Sequence, residues 1–331
     1  MHAVQGQLQV STVGMRAAAM GRAHGLDATT VDRLGIVVTE MATNIVRHAG
    51  TGHIVLRPVG EYATGSIEIL ALDKGPGIAD MRRAMRQGGL TGVKQLANLF
   101  DIYSQVGRGT AVVAHVGAQT GQSSTRGYAE SVMHECVGVV CVPLHGEQEC
   151  GDAWAVDVVP GRLTALLVDG LGHGPGAAVA ALAAMSAFHH AAPEAPEIML
   201  CSMHSALHDT RGAALSVTVV DQSRRTARFC GVGNVDGRVV TVDTDRHLIP
   251  QNGIVGHTMP RAKAADVPWP PDARLVMHSD GISSRWRADQ YPGLLARHPS
   301  LLAGVLFRDF ARARDDATIL VLRNALPATS E

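Results

Sequence analysis

Beyond residue 150, four acidic motifs follow one another: Gly151-Asp152, Asp169-Gly170-Leu171-Gly172-His173-Gly174, Ser279-Asp280-Gly281 and Asp315-Asp316-Ala317-Thr318. A single Asp before Gly is most simply a turn, because the carboxylate bonds its own backbone and glycine supplies the left-handed dihedrals. Each of these motifs, however, sits where a strand-like run ends or begins, so one end of a sheet could collect all of their carboxylates. Ligands that are all oxygen suit hard cations such as magnesium and manganese rather than zinc. Two such ions ~3.5–4 Å apart can deprotonate a bridging water and neutralise phosphoryl oxygens. His173 and His278 flank the motifs. Either could protonate a leaving alkoxide, or fill a structural hydrogen-bonding place.

A second group of chemical residues lies nearer the N-terminus. Glu40, Asn44 and His48 recur every four residues and share one helix face, beside an apolar stripe of Val37, Met41 and Ile45. After the strand-like run SIEILAL comes Asp73-Lys74-Gly75-Pro76-Gly77-Ile78. There an acceptor at a strand end precedes glycines that let the backbone approach a flat ligand. Gly88-Gly89-Leu90-Thr91-Gly92 leads into a helix whose N–H groups could cradle phosphates, and Ser104-Gln105-Val106-Gly107-Arg108-Gly109-Thr110 forms a turn feeding a strand.

The elements that must position these groups follow from periodicity. Residues 11–24, 30–49 and 92–99 read as helices and residues 51–58 and 66–72 as strands, an α+β pattern. The polar run GAQTGQSSTRG, residues 117–127, reads as a linker. Beyond it, VGVVCVPL, LTALLVDG, ALSVTVVD, TARFCGVG, RVVTVDTD and RLVMHSDG read as strands, interrupted by helices near 177–190 and 196–208. The second domain should therefore layer helices against mainly antiparallel sheets, with Cys230 and Met277 in its core.

At 331 residues, two domains are the natural division. A hydrophobic share of 46% with 18% charged residues describes globular protein, not a disordered tail. The net charge of −1 lacks the basic footprint of a nucleic-acid binder. Five cysteines with no C-x-x-C pair indicate neither a disulfide framework nor a zinc site. No run approaches the ~20 apolar residues of a membrane span, and the first residues do not read as a signal peptide, so a cytoplasmic location is expected.

The ordered motifs of the first domain, VVTEMATNIVRHA above all, resemble the GHKL ATPases and within them the anti-sigma-factor serine kinases of the RsbW and RsbT type. The resemblance implies a GHKL (Bergerat) ATPase-like α/β sandwich over residues 1–117, binding ATP with magnesium and phosphorylating a serine of a small STAS-domain antagonist. It implies Glu40 as general base, Asn44 as magnesium ligand and Asp73 as acceptor for the adenine amino group. Gly75, Gly77, Gly89 and Gly92 would shape the nucleotide pocket, with His48, Gly107, Gly109 and Thr110 also contacting the nucleotide. The segment between Ile78 and Gly89 is several residues shorter than the family's lid over the triphosphate, which could spare binding while slowing transfer.

LLVDGLGHGPGAAVAA, VMHSDGISSRW and RDDATILVLR resemble the SpoIIE-type, 2C-class serine/threonine phosphatases, RsbX-like members especially. That resemblance implies a β-sandwich flanked by helices over residues 128–325, after a linker at 118–127 and before a tail at 326–331. It implies two manganese or magnesium ions bridged by the catalytic Asp169. The Gly170 carbonyl would act through water, Asp280 and Asp316 would complete the set, and Asp152 would serve the second ion, although Ala153 and Trp154 depart from the family's aromatic pattern. Together the two resemblances imply a bacterial-type regulator of serine phosphorylation on a STAS-domain antagonist in a partner-switching pathway, with phosphatase and serine kinase activities. The alternative is a nucleotide-gated partner-binding regulator whose kinase-like domain is not catalytic.

Overall fold

The computed structural model describes residues 1–60, 65–86, 89–117, 125–191 and 194–324. Of the expected linker, residues 118–124 lie outside the described residues, as do Gly88 and the tail at 326–331. In chain order the elements are β1 (His2–Val4), α1 (Gln7–Ala23), α2 (Ala28–Ala49), β2 (Gly52–Val59), β3 (Ser66–Asp73), α3 (Met81–Ala84), α4 (Gly89–Leu96), β4 (Leu99–Gln105), β5 (Gly109–Gly117) and α5 (Thr125–Cys136). They continue as β6 (Val137–Val142), β7 (Asp152–Val159), β8 (Arg162–Gly170), α6 (Pro175–Ala191), α7 (Pro196–Ala206), β9 (Ala213–Asp221), β10 (Thr226–Val232), β11 (Asp236–Val240), β12 (Asp245–Leu248), β13 (Ala265–Pro268), β14 (Arg274–His278), α8 (Pro299–Phe310) and β15 (Ala317–Arg323).

The chain forms two compact units, Met1–Cys136 with Tyr291–Arg308, and Val137–Gln290 with Asp309–Glu331. The first unit holds an antiparallel sheet in the order β1-β2-β3-β5-β4. The apolar stripe of α2 (Leu34, Val37, Val38, Met41, Ile45) packs on Ile67, Ile69 and Ala71, alternate residues on one face of β3. Asp27 fixes where this helix starts, its side chain accepting from Thr30 N at 2.9 Å.

The other face of β3 presents Glu68, Leu70 and Leu72, which are buried as well. Segment 291–308, which the sequence reading assigned to the second domain, supplies the cover. A Cβ placed on Gly304 of α8 would lie 2.8 Å from the methyls of both Leu70 and Leu72, so only the bare backbone lets the helix come this close. Beside this apolar contact, Glu68 accepts from Ser300 Oγ at 2.6 Å and pairs with Arg57 at 3.0 Å and His115 at 2.9 Å. Burial alone would raise the Glu68 pKa, but Arg57 and His115 hold it well below the ordinary carboxylate range.

The second unit contains two five-stranded antiparallel sheets, β13-β10-β9-β8-β7 and β12-β11-β14-β15-β6. Thr218 Oγ1 of β9 reaches Met277 Sδ of β14 at 3.7 Å, so the sheets face one another across a shared core. Helices α6 and α7 pack on the first sheet through Ala181, Ala184, Phe188, Met199 and Met203. Cys230 and Met277 are buried, as expected. Among the described residues, no helix is long and apolar enough to cross a membrane.

Candidate active sites

In the first unit a cavity of about 530 Å³ opens between α2 and the ends of β3 and β5. That volume suits a nucleotide-sized ligand. Asn44 and His48 line it from α2, Asp73 from the end of β3, Gly77 and Ile78 from the following loop, Gly89 from α4 and Thr110 from β5. Asp73 Oδ1 accepts from Gly75 N at 2.8 Å and Thr110 N at 3.2 Å, and its other oxygen takes no hydrogen bond from a described residue. Burial raises the Asp73 pKa against the pull of those backbone bonds. Asn44 Nδ2 is buried without a partner. Such a group requires one, and a ligand in the cavity would supply it.

The glycine expectations separate. Gly109, at φ 95°, brings its Cα so close to the Asp73 carbonyl that a Cβ would lie 2.1 Å from the oxygen. Gly77 is held against Gln105 O in the same way, at 2.3 Å, and a Cβ on Gly75 would fall 2.7 Å from Ala49. Gly92 and Gly107, by contrast, have open space where a Cβ would stand, and of the glycines expected at the nucleotide site Gly77 and Gly89 line the cavity while Gly75, Gly92, Gly107 and Gly109 do not. Glu40 lies outside the lining, its carboxylate under α4, where a Cβ on Gly89 would strike Oε1 at 1.4 Å. Arg47 and Arg83, which sequence reasoning missed, add cations to the wall. The signal for Arg47 was present in its place one residue before His48. An amide N–H without a partner, an acceptor with a free oxygen and two guanidinium groups around one cavity fit an anionic nucleotide such as ATP, whose magnesium would have to be held through Asn44 Oδ1 rather than the orphaned Nδ2.

In the second unit, Asp152 and Asp169 occupy directly opposed positions on β7 and β8. Gly170 N bonds Gly151 O at 3.0 Å, tying the two motifs together. Asp280 follows β14, with Oδ2 accepting from Asn234 Nδ2 at 2.6 Å. Gly281 lets this turn meet the fourth motif, for a Cβ there would lie 1.9 Å from Asp316 O. Ser279 Oγ donates to Asp152 Oδ2 at 2.6 Å while accepting from Thr318 N at 3.0 Å, which orients the Asp152 carboxylate.

These carboxylates repel one another. Burial first, then Asp152, Asp280 and Asp315, push the Asp169 pKa up to about 8. Burial, with repulsion from Asp316 and Asp315, pushes Asp152 up to about 7. Asp315 is raised too, by burial and then chiefly by Asp280 and Asp316. Asp316 is employed differently from the expectation that it ligates metal. Its Oδ1 accepts from Leu144 N at 2.7 Å and its Oδ2 from Gly151 N at 2.8 Å, so both oxygens already hold backbone. The less buried Asp315, which sequence reasoning passed over within the same pair, carries the freer carboxylate.

Among the described residues, no three His, Cys, Asp or Glu side chains are gathered closely enough to enclose a cation as they stand. The donor set nevertheless fits hard cations in kind: carboxylates whose mutual repulsion a cation would relieve. His278 is buried, donating from Nδ1 to Ser279 O at 3.0 Å, with its pKa lowered by burial, and so takes the structural role. His173 stands at the surface against Glu147 Oε1 at 2.9 Å.

Comparison with known proteins matches residues 160–325 to the family described as Stage II sporulation protein E (SpoIIE), and residues 5–115 to the histidine kinase-like ATPase domain. The serine/threonine-protein kinase RsbT of Bacillus subtilis (strain 168) is 38% identical over 96 residues, 26% of this chain and 72% of the relative. The phosphoserine phosphatase RsbX of the same organism is 23% identical over 139 residues, 42% of this chain and 70% of the relative. A solved structure described as "The bacterial stressosome: a modular system that has been adapted to control secondary messenger signaling" aligns with 57% of this chain and 98% of its own, at TM-score 0.53 and 27% identity.

Proposed function

We propose, from the premise that this chain belongs to the SpoIIE family and in its first part to that of the RsbT kinases, that it sets the phosphorylation state of a serine on a STAS-domain partner. Its second unit is a phosphatase domain of the SpoIIE and RsbX type, and its first a kinase-like ATPase domain. The observation that carries the reading is the gathering of four acidic motifs at one end of the sandwich, with Asp152 opposite Asp169 on β7 and β8 and the Asp280 turn packed through Gly281 on the Asp315-Asp316 motif.

In this reading Asp152, Asp169, the Gly170 carbonyl and Asp280 hold two divalent cations, manganese or magnesium, with Asp315 taking the ligand place first given to Asp316. Bound there, the cations supply charge neutralisation for a phosphoryl group and acidify water. The protein's own contribution is to hold the carboxylates. Ser279 orients Asp152, Asn234 orients Asp280, and Asp316 fixes the 144–151 loop from which Asp152 emerges. In the first unit Asp73 binds the adenine amino group, Asn44 serves magnesium, and Arg47 and Arg83 neutralise phosphate charge. Glu40 takes the proton of the attacking hydroxyl.

A second reading is favoured by one observation: Glu40 lies outside the cavity wall, beneath Gly89. The first unit would then bind nucleotide and grip a partner without transferring phosphate. Incubating the protein with a serine-phosphorylated STAS-domain protein, with and without manganese, tests the phosphatase half. Retention of the phosphate in the presence of manganese would remove it. Labelled ATP with the unphosphorylated partner and Asp169→Asn protein separates the kinase reading from the grip.

A further inference from the structure

Five cysteines are free thiols in this structure, and two of them touch. Cys141, in β6, and Cys150, just before the Asp152 motif, stand with Sγ atoms 3.6 Å apart, and Cys141 Sγ also lies 3.9 Å from the Asp152 carbonyl. Both are half-buried, within reach of a small oxidant, whereas Cys136 and Cys230 are buried and Cys201 is exposed.

We propose that Cys141 and Cys150 are a reversible redox pair, joined by peroxide into an intramolecular disulfide that shifts Asp152 and switches off the carboxylate site. The two sulfurs belong to residues nine apart, so closing the loop costs little chain entropy. A disulfide bond is ~2.05 Å long, so the sulfurs must approach by roughly 1.5 Å. The segment between them cannot absorb that movement freely. Asp316 grips it twice, at Leu144 N and at Gly151 N, and Gly151 is packed so closely that a Cβ would lie 2.6 Å from Ala177 and 2.8 Å from Asp316 Oδ2. Cys150 is separated from Asp152 by that one glycine. Displacement therefore passes to the Asp152 carboxylate and to its bond with Ser279.

The chemistry balances with hydrogen peroxide as oxidant. Cys141, as thiolate, attacks a peroxide oxygen, giving a sulfenic acid and, after proton transfer, one water, while the contact with Cys141, burial and Asp152 keep Cys150 a thiol until the second step. The second sulfur then attacks the sulfenic sulfur, the S–S bond forms, and the hydroxyl leaves with the second thiol's proton as a further water. Two thiols lose two electrons in all, and the peroxide gains them. A dithiol reductant reverses the bond by exchange.

Only the activity half of the proposal rests on the phosphatase reading. The experiment uses full-length protein carrying Cys201→Ser, so that the exposed thiol forms no intermolecular bonds. After peroxide treatment and alkylation of remaining thiols, peptide mapping should recover Cys141 linked to Cys150. Manganese-dependent hydrolysis of an aryl phosphate should fall at least ~10-fold, as for a lost supporting contact at a metal site, and return with dithiothreitol. Cys150→Ser in the same background should form no link and keep its turnover through the treatment. The proposal is overturned if no linked peptide forms, if the link forms and turnover is unchanged, or if Cys150→Ser loses turnover equally. Should the reduced protein hydrolyse nothing, the phosphatase reading fails, and the linked peptide together with manganese affinity measured by calorimetry still decides the redox pair.

Discussion

Asp152 and Asp169 face one another across β7 and β8, two acids in direct register on neighbouring strands. Like charges so placed destabilise a sheet; burial raises both pKa values, that of Asp152 to about 7 with repulsion from Asp316 and Asp315 and that of Asp169 to about 8 with repulsion from Asp152 and Asp280. A fold retains such a pair when something bound compensates the charge.

Asp169→Asn should lower manganese-dependent aryl phosphate hydrolysis by roughly two orders of magnitude or more, while leaving the circular dichroism spectrum unchanged. Excess chelator should have the same effect on the native protein. Because cation binding must expel protons from carboxylates that hold them up to about pH 7 and 8, apparent manganese affinity should tighten as pH rises through that window. Calorimetric titration at pH 6 and 8.5 measures it.

The adjacent acids Asp315 and Asp316 should behave oppositely on substitution. Asp315→Asn should cut turnover and leave the melting temperature nearly unmoved. Asp316→Ala leaves two backbone N–H groups, of Leu144 and Gly151, without their acceptor. That should cost roughly 2–5 kcal/mol of stability, read by urea unfolding. Equal thermal stability of the two variants would remove the distinction.

For the first unit, Asn44→Ala and Asp73→Asn should each weaken ATP binding by about 10–100-fold. The second presents an N–H where an acceptor is needed. Glu40→Ala, outside the cavity wall, should bind ATP as the native protein does and label no STAS-domain partner. Loss of binding in Glu40→Ala would move that residue into the nucleotide site.

Acid should weaken the first unit through His134. Burial, helped by His115 and Arg57, lowers its pKa from 6.5 to about 4, and its Nδ1 lies 2.9 Å from His115 Nδ1, a contact that needs one bare nitrogen. The unfolded chain therefore takes up a proton near pH 6.5 that the folded unit refuses until about pH 4. Stability is full above that window and declines through it by up to about 3 kcal/mol. Glu68, depressed by Arg57 and His115 against its burial, adds a further loss below the ordinary carboxylate range. Denaturant unfolding at pH 7 and 4.5 measures the slope, which His134→Asn should flatten.

Much of both sites could be read from residue order. Asp73 and Asp169 could be placed because each closes a strand with glycine at the next or next-but-one position, Asp280 because it stands between a strand and Gly281, and Asn44 and His48 because helical spacing puts them on one face. Asp315 and Asp316 could not be told apart, since two adjacent acids differ only in what lies opposite them, here the N–H groups of residues more than 160 positions away. Gly92 is expected in the pocket through the GHKL resemblance, yet a glycine's letter does not say whether its missing side chain is needed, and here a Cβ would meet open space. The helix Pro299–Phe310 is buried along most of its length. Apolarity on every side announces burial but not the partner, so nothing in the sequence pointed to Leu70 and Leu72.

The cover that α8 gives to β3 also sets a timetable for synthesis. Met1–Cys136 leaves the ribosome with Leu70, Leu72 and Glu68 on an open face, and the residues that close it end at Arg308. At ~5–20 residues per second, translation takes on the order of 10–35 s to supply them. Through that interval the nascent first unit presents an apolar surface with a buried-type carboxylate in its midst. Its folding cannot finish before most of the second unit has been made, and a message truncated anywhere upstream of α8 yields neither unit whole.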